Sequence, residues 1–456
     1  MSMKSLFRFA FGALIANGQA GAAAPFFDGA QDAKSRAVMR QAELDIDRYR
    51  KGSFTLELVD ARGNPVQAEV KAELRQHAFK FGTNLFGLSA MPDSELKRTA
   101  FAAAKEIFNT VVVCDYWRSP DRKEQERKRD QPLEDLRWAE ANGLTPRFHA
   151  VLYNDPRWTM GRNLSAEDYW QTIEARFRYV AQYRDRVGEY DVINEFISGH
   201  YWPEFMEFYK QAPNYPQFRD PAVGKQVLAM ARRYLPDAKL VVLEAQVPSI
   251  KNERFREIVA YWKALVASGA DFDCVGTQAH FYNKGRPFQA GHPEYGADTF
   301  LMAGINEAFE LLGSVGKSVL ITEFNGPSRN KTQSAQEQAK VWTMSEAENA
   351  AWQVNFYRLA FSKPYIKELT RWFHLDEIGG RGMDAGILTK TGEPHAIYHE
   401  LKKLLREEWS TRASGKTTDG AFRFRGYYGR YEIAVPGYPP VSVELTQEGR
   451  KKVELK

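Results

Sequence analysis

The feature that most constrains this chain is an alternation running through its middle. Short β-branched and aromatic runs recur, each followed by a longer stretch with apolar residues at helical spacing. Eight strand candidates stand out, at residues 80–86, 110–117, 145–153, 189–196, 239–245, 272–281, 318–325 and 368–375. Several, such as VVVC, VVLEA and VLITE, are apolar on both faces. Runs of that kind suit a parallel sheet covered by helices. Between the strands, Phe255, Ile258, Val259, Trp262, Leu265 and Val266 follow i, i+3, i+4, i+7, and Leu301, Ile305, Ala308 and Leu312 do likewise. Eight βα units in series over residues 80–405 predict an α/β fold, a (β/α)8 TIM barrel. An open doubly wound sheet would carry a Gly-rich turn after its first strand, and this sequence has none there.

In a barrel of this type the reacting groups come from C-terminal strand ends. Those ends read Asp115, His149, Asn194, Glu195, Glu244, Gln278, His280, Glu323, Asn325, His374 and Asp376. Glu195 and Glu323 each close a strongly apolar strand, where an ionisable group is costly to desolvate. One such residue alone reads as a salt-bridged structural group. Two of them, on strands four and seven at opposite sides of the mouth, can face each other across a bound bond. Glycoside hydrolysis needs such a pair: one carboxyl holds a proton for the leaving oxygen, and the other stays ionised. His280 is placed to hydrogen-bond Glu323 and keep it ionised. Asn194 is placed to donate to the sugar hydroxyl next to the reacting carbon. The 29 Phe, 21 Tyr and 10 Trp suit both a core and a sugar-binding cleft.

Six segments, FNTVVVCDYWR, RFHAVLYNDPRW, YDVINEF, GTQAHF, VLITEFN and RWFHL, occur in that order. Together they resemble the strand motifs of the glycoside hydrolase family 10 endo-β-1,4-xylanases, over roughly residues 79–405. The resemblance implies a retaining mechanism on a (β/α)8 barrel, with Glu195 as acid/base and Glu323 as nucleophile. It also implies that Asn194, Gln278 and His280 surround the reacting sugar, and that Trp372 and Trp158 form sugar platforms. The flanking β segments, including FRFRGYYGRYEIAV, are similar to those of a divergent bacterial branch of the family.

The sequence also departs from the family pattern. Where the family carries Pro-Glu-Asn-x-x-Lys after strand two, this chain has Cys114, Asp115 and Arg118, with Tyr116 and Trp117 between. The family's Trp-His pair after strand three is Tyr153-Asn154 here, and a Gly-rich stretch at 379–386 replaces a second Trp after strand eight. The residues near the cut bond are kept, while those gripping more distant sugars are altered. Asn154, Asp115 and Arg118 are therefore the candidate substrate contacts in which this chain would differ, and His149, at the end of strand three, is a further candidate contact. Arg118 reads as surface charge or as the partner of an acidic sugar such as a uronic acid.

The ends of the chain follow a different pattern. Residues 28–79 predict a helix, at 30–50, and a β-hairpin in which Phe54, Leu56 and Leu58 lead through a turn to Val66, Ala68, Val70, Ala72 and Leu74. Residues 406–456 alternate similarly around Gly426, Gly429, Gly437 and Pro439. Neither piece carries enough apolar surface to stand alone, so the two predict one small accessory β-sandwich beside the barrel. The aromatic segment 199–220 after strand four is expected to be either a cleft lid or a helix packed on the barrel. Residues 1–27 read as a leader, with Lys4 and Arg8 before a short apolar run and small residues after it, and point to a secreted or periplasmic protein.

The remaining signals narrow the function. Lys plus Arg number 63 against 58 Asp plus Glu, a net charge of +5 without a concentrated basic stripe, so nucleic acid is not an expected partner. No run approaches the ~20 apolar residues of a membrane span. Cys114 and Cys274 fall in core strands and indicate neither a disulfide framework nor a zinc site. His395 and His399 lie at i, i+4 without a third ligand and read as surface or packing residues. The expected partner is a polysaccharide or oligosaccharide. No cofactor or metal is expected, because two carboxylates and water supply the whole reaction. Alternatives are the same barrel acting on a different, acidic or exo-cleaved glycan, and a non-catalytic carbohydrate-binding barrel.

Overall fold

The computed structural model describes residues 27–84, 88, 92–116, 130–153, 164–199, 203–281, 297–327, 344–377 and 384–456. Two short strands, β1 (Lys51–Val59) and β2 (Glu69–His77), precede the barrel. The barrel strands follow in chain order: β3 (Lys80–Asn84), β4 (Thr110–Cys114), β5 (Thr145–His149) with its extension β6 (Leu152–Tyr153), β7 (Glu189–Asn194), β8 (Lys239–Glu244), β9 (Cys274–Thr277), β10 (Ser318–Phe324) and β11 (Ile366–Arg371). All pair in parallel with their sequence neighbours, and β11 returns to β3, so the sheet closes. This is the (β/α)8 barrel that the alternation predicts. The residues of β4 and β7 are buried throughout, as strands covered by helices outside and filled by side chains inside must be.

The helices of the outer ring are set by ordinary sequence signals. Ser165 with Asp168 and Ser345 with Glu348 form capping boxes at the starts of Ala166–Val180 and Glu346–Ser362. Asn252 caps Glu253–Ala267, which buries Phe255, Ile258, Val259, Tyr261, Trp262 and Leu265 against the sheet. Close packing inside the ring depends on Gly276, where a Cβ would sit 2.6 Å from Leu243 Cβ.

The floor of the barrel is charged. Lys80 pairs with Glu189 at 2.9 Å, and Arg147 pairs with Asp191 and with Glu368, the latter at 2.9 Å. Arg147, Asp191 and Glu368 have no solvent exposure. Buried charges of this kind persist only when paired.

The terminal segments meet beside the barrel. The final strands are β12 (Arg412–Lys416), β13 (Ala421–Tyr427), β14 (Gly429–Ala434), β15 (Val441–Leu445) and β16 (Gly449–Glu454). They form two sheets, β13-β1-β16 and β12-β2-β14-β15, which enclose Phe54, Leu56, Leu58, Val70, Ala72, Phe422, Tyr431, Ile433, Val443, Leu445 and Val453. The expected hairpin between the first two strands is corrected here. β1 and β2 do not pair: the chain bridges only at Val59–Pro65, before β2 begins, and the two strands belong to opposite sheets. The reason is that both carry their apolar residues on one face, so facing each other across the core buries more surface than lying side by side.

The helix Ala33–Arg50 begins three residues later than expected, at the Asp32 cap. Its last residue, Arg50, is buried and donates to the carbonyls of Phe361, Lys363 and Ile366, tying the terminal segments to the barrel. Segment 199–220 contains the helix Pro203–Gln211, and Phe208, Ala212, Tyr215 and Phe218 are buried, so its described part is packed on the barrel. Residues 1–26, with nearly all of the expected leader, lie outside the described residues.

Candidate active site

The barrel brings the polar strand ends to one mouth. β7 ends at Asn194, and the chain then turns through Glu195 in the left-handed region, with φ 64°. For a residue other than glycine that conformation costs about 1–3 kcal/mol, and it is held only by surrounding structure. Here Glu195 N–H donates to Leu243 O at 3.1 Å, and Gly199 N–H donates to Glu195 O at 2.8 Å. After β9 the chain turns again at Ala279, with φ 57°. Between the two bends Gln278 Nε2 donates to Glu195 Oε1 at 2.5 Å and to Asn194 Oδ1 at 3.1 Å. Glu195 therefore meets a neutral amide.

Glu323 has different neighbours. His280 Nε2 lies 3.1 Å from Glu323 Oε2, and His149 Nε2 lies 3.6 Å from Glu323 Oε1. The tautomer of His280 follows from its other side. Phe373 N–H donates to Asn325 Oδ1 at 3.3 Å, which leaves the Asn325 amide nitrogen to donate to His280 Nδ1 at 2.8 Å. Nδ1 is then an acceptor, and Nε2 carries the proton that His280 donates to Glu323. The expected His280–Glu323 hydrogen bond is present. His149 is set in turn by Asp191, which accepts from its Nδ1 at 2.7 Å. Burial opposes the ionisation of Asp191, but Arg147 and the His149 N–H outweigh it and hold Asp191 below the usual carboxylate range.

Tyr116, which the sequence shows only as a spacer between altered positions, stands near both carboxyls. Its hydroxyl lies 3.0 Å from His149 Nε2, and its ring packs edge-on against those of His149 and Tyr153. Burial pushes its phenol well above the ordinary value, and Cys114, Glu323, Tyr153 and Glu195 add to the rise. The fields of both carboxylates thus converge on one hydroxyl. Trp372 is half-buried at the same mouth, with its ring centroid 5.1 Å from that of His149 and 6.3 Å from that of His280.

Asp115 also stands at the mouth but is engaged by Arg176, whose guanidinium reaches its carboxylate at 3.3 Å and the carbonyls of Asp115, Ala150 and Val151. Arg118, Asn154 and Trp158 lie outside the described residues. Other strand-end residues serve the fold. His374 lies 2.8 Å from Ala100 O and 3.0 Å from Thr83 Oγ1, and Asp376 accepts from Gly386 N–H and meets His395 at 2.9 Å. His395, weighed above as half of a metal pair, is thereby partnered by Asp376 and Glu346. Cys114 is buried, which pushes its thiol far above the ordinary range, so it is no ready nucleophile.

Arg147 and Asp191 are site-supporting residues that sequence reasoning missed. The available signal was an Arg and an Asp inside two successive apolar strands, where opposite buried charges call for each other.

Comparison with known proteins agrees with this arrangement. Residues 74–378 match the model of glycosyl hydrolase family 10. The anti-sigma-I factor RsgI6 of Acetivibrio thermocellus is 25% identical over 402 residues, covering 87% of this chain and 46% of that protein. The chain thus spans about half the length of this curated relative. Among solved structures, xylanase 10B from Thermotoga petrophila in complex with xylobiose superposes with a TM-score of 0.54 at 17% identity, over 73% of this chain and 95% of that one. Native xylanase 10B from Thermotoga maritima gives 0.54 at 18% identity, over 73% and 96%. At such identities these structures speak for the fold, while the family match covers more than half the chain. The protein belongs to glycosyl hydrolase family 10.

Proposed function

We propose that this protein is a retaining glycoside hydrolase that cleaves β-linked, xylan-like glycans by double displacement. The observation that carries the reading is that two buried strand-end carboxyls, Glu195 after β7 and Glu323 on β10, stand at one mouth near the Tyr116 phenol, each held by its own N–H donor, Gln278 or His280. In the first step Glu323 attacks the anomeric carbon while Glu195 gives its proton to the leaving oxygen. In the second, Glu195 takes a proton from water, which attacks the same carbon and releases Glu323, so configuration is retained. The His280 N–H that donates to Glu323 favours its ionised form before attack. Gln278 holds Glu195 in place, and Trp372 offers a ring face for a sugar.

The choice of a xylan-like substrate rests on family membership and on the xylobiose bound in the Thermotoga petrophila relative. Export, as the leader-like start suggests, would place the enzyme where polymeric glycans occur. Glu323→Gln and Glu195→Gln should each lower kcat on xylohexaose by about 10³-fold or more. Proton NMR of the first product should show the β-anomer. Near wild-type turnover in Glu323→Gln, or an α-anomer formed first, would refute the mechanism. A second reading, carbohydrate recognition without turnover, is favoured by one fact: the curated relative is named as a regulatory protein rather than an enzyme. It predicts that xylohexaose binding survives loss of both carboxylates while the wild type hydrolyses nothing.

A further inference from the structure

Glu244 takes no part in the double displacement above, yet it is a carboxyl buried to 1% exposure at the same mouth. It ends β8. Its Oε1 accepts from Ile197 N–H at 2.9 Å, and its Oε2 accepts from Ser198 N–H at 2.9 Å and Ser198 O–H at 2.5 Å. All three donors belong to the turn that leaves Glu195. The Ser198 hydroxyl accepts in turn from Ala245 N–H at 3.2 Å, so the turn is stitched to the end of β8 from both sides. The backbone of Glu244 holds Gln278 as well, because Gln278 N–H donates to Glu244 O at 3.1 Å. One residue therefore braces both the acid and the amide that grips it.

An apolar side chain here would orphan three buried donors. A carboxyl satisfies them and also sets a second acidic group close to Glu195. We propose that Glu244 is the positioning residue of Glu195, fixing the turn that aims its carboxyl and, because the two carboxyls resist joint ionisation, holding a proton at this side of the mouth for the leaving oxygen. The inference rests on the reading of Glu195 as acid/base.

The surroundings fit this role. Among the described residues, Ser198 and Ile197 hydrogen-bond Glu244, the charge of Glu195 acts on it, and it acts in turn on the phenols of Tyr209 and Tyr261, on which Arg219 and Asp220 respectively also act. Glu195 is faced by Gln278 and by the Tyr116 phenol besides. Among the described residues, every hydrogen bond to the Glu244 carboxylate comes from a neutral donor. Burial pushes Glu244 up to about 7 and the charge of Glu195 adds to the rise, although Ser198 and Ile197 favour its ionised form. Two such carboxyls resist joint ionisation, so each helps the other keep a proton.

The test measures kcat/KM against pH for two substrates: xylohexaose, whose leaving oxygen needs a proton, and 2,4-dinitrophenyl β-xylobioside, whose leaving group does not. In Glu244→Gln the basic limb on xylohexaose should move about one pH unit lower. The aryl glycoside should keep its wild-type rate within a few-fold. Ser198→Ala removes one donor, makes Glu244 harder to ionise, and should move the limb the same way by less. It serves alone if Glu244→Gln does not fold. Glu244→Asp, which keeps the charge, should restore the limb. Rates that fall without any movement of the limb in either variant would mean a purely structural role and overturn the proposal. Glu195→Ala separates the underlying reading: it should abolish xylohexaose cleavage and spare the first step on the aryl glycoside. If it spares both or neither, Glu195 is not the acid, whatever Glu244 does.

Discussion

The two sides of the barrel mouth hold the same functional group in opposite settings. Around Glu195 the neighbours are an amide, a left-handed turn and a second buried carboxyl. Around Glu323 they are two histidine nitrogens, backed by Asn325 on one side and by the Asp191–Arg147 pair on the other. Each carboxyl accepts from a neutral N–H, so what sets the sides apart is the second buried carboxyl beside Glu195, which resists joint ionisation, against the imidazoles around Glu323. Under the proposed mechanism, acid and nucleophile are distinguished by their surroundings, because the two side chains are chemically identical.

The contrast depends most on what lies beneath Glu323. Arg147 is fully buried between Asp191 and Glu368, and its NH2 group donates to Thr322 O at 2.8 Å, one residue before the nucleophile. Arg147→Met leaves Asp191 without its cation and Glu368 with only Lys80, 3.9 Å away. It should cost about 3–5 kcal/mol of stability, read as the shift in urea unfolding free energy. A change below about 1 kcal/mol would mean that the floor does not support the nucleophile side as described.

The histidines offer a second handle. His149 and His280 face Glu323, whereas His77 and His374 are buried against the carbonyls of Trp409 and Ala100. Burial pushes both of the latter down to about 4 from the ordinary 6.5. Between those values the unfolded chain binds more protons than the folded one. Their contribution to stability is therefore complete above about pH 6.5 and is lost as pH falls toward 4. The two histidines add up to about two protons to the slope of unfolding free energy through this window, opposed by Glu244 and Glu368, which burial pushes up to about 7 so that they bind protons in the folded state over the same range. His374→Gln should reduce that slope by about one proton if the neutral state of His374 is responsible.

The smallest effect tests the His280 tautomer. Asn325→Asp would place a carboxylate beside Nδ1 and favour a cationic imidazole. That cation would hold Glu323 ionised to lower pH, so the acidic limb of kcat/KM should move down by about one unit or less. A limb that stays in place or moves up would show that Asn325 does not set the proton on His280.

Much of this site could be read before folding. Glu195, Glu323, Asn194, Gln278 and His280 are among the polar residues that period and position put at the strand ends; the apolar strands they close set the two acids apart, and the resemblance to family 10 added the other three. Tyr116 was not legible, because an aromatic beside a strand end is equally a packing residue, and only its distance to His149 reveals the link. Asp115 was legible as polar but not as occupied, since Arg176 reaches it from 61 residues away in the sequence. The hairpin failed for a similar reason. Alternation in residues 54–74 shows which face of each strand is apolar, but it does not show which sheet will cover that face.

By itself, the sequence determined the eight-fold alternation, the helix caps and the polar residues that end each strand, because these follow from short-range periodicity and local hydrogen bonding. Tertiary structure alone decided which charges meet, which proton each histidine carries and which carboxyl stands beside another. Those properties depend on separations of a few ångströms between residues far apart in the chain, and the order of residues does not encode such separations until the barrel closes.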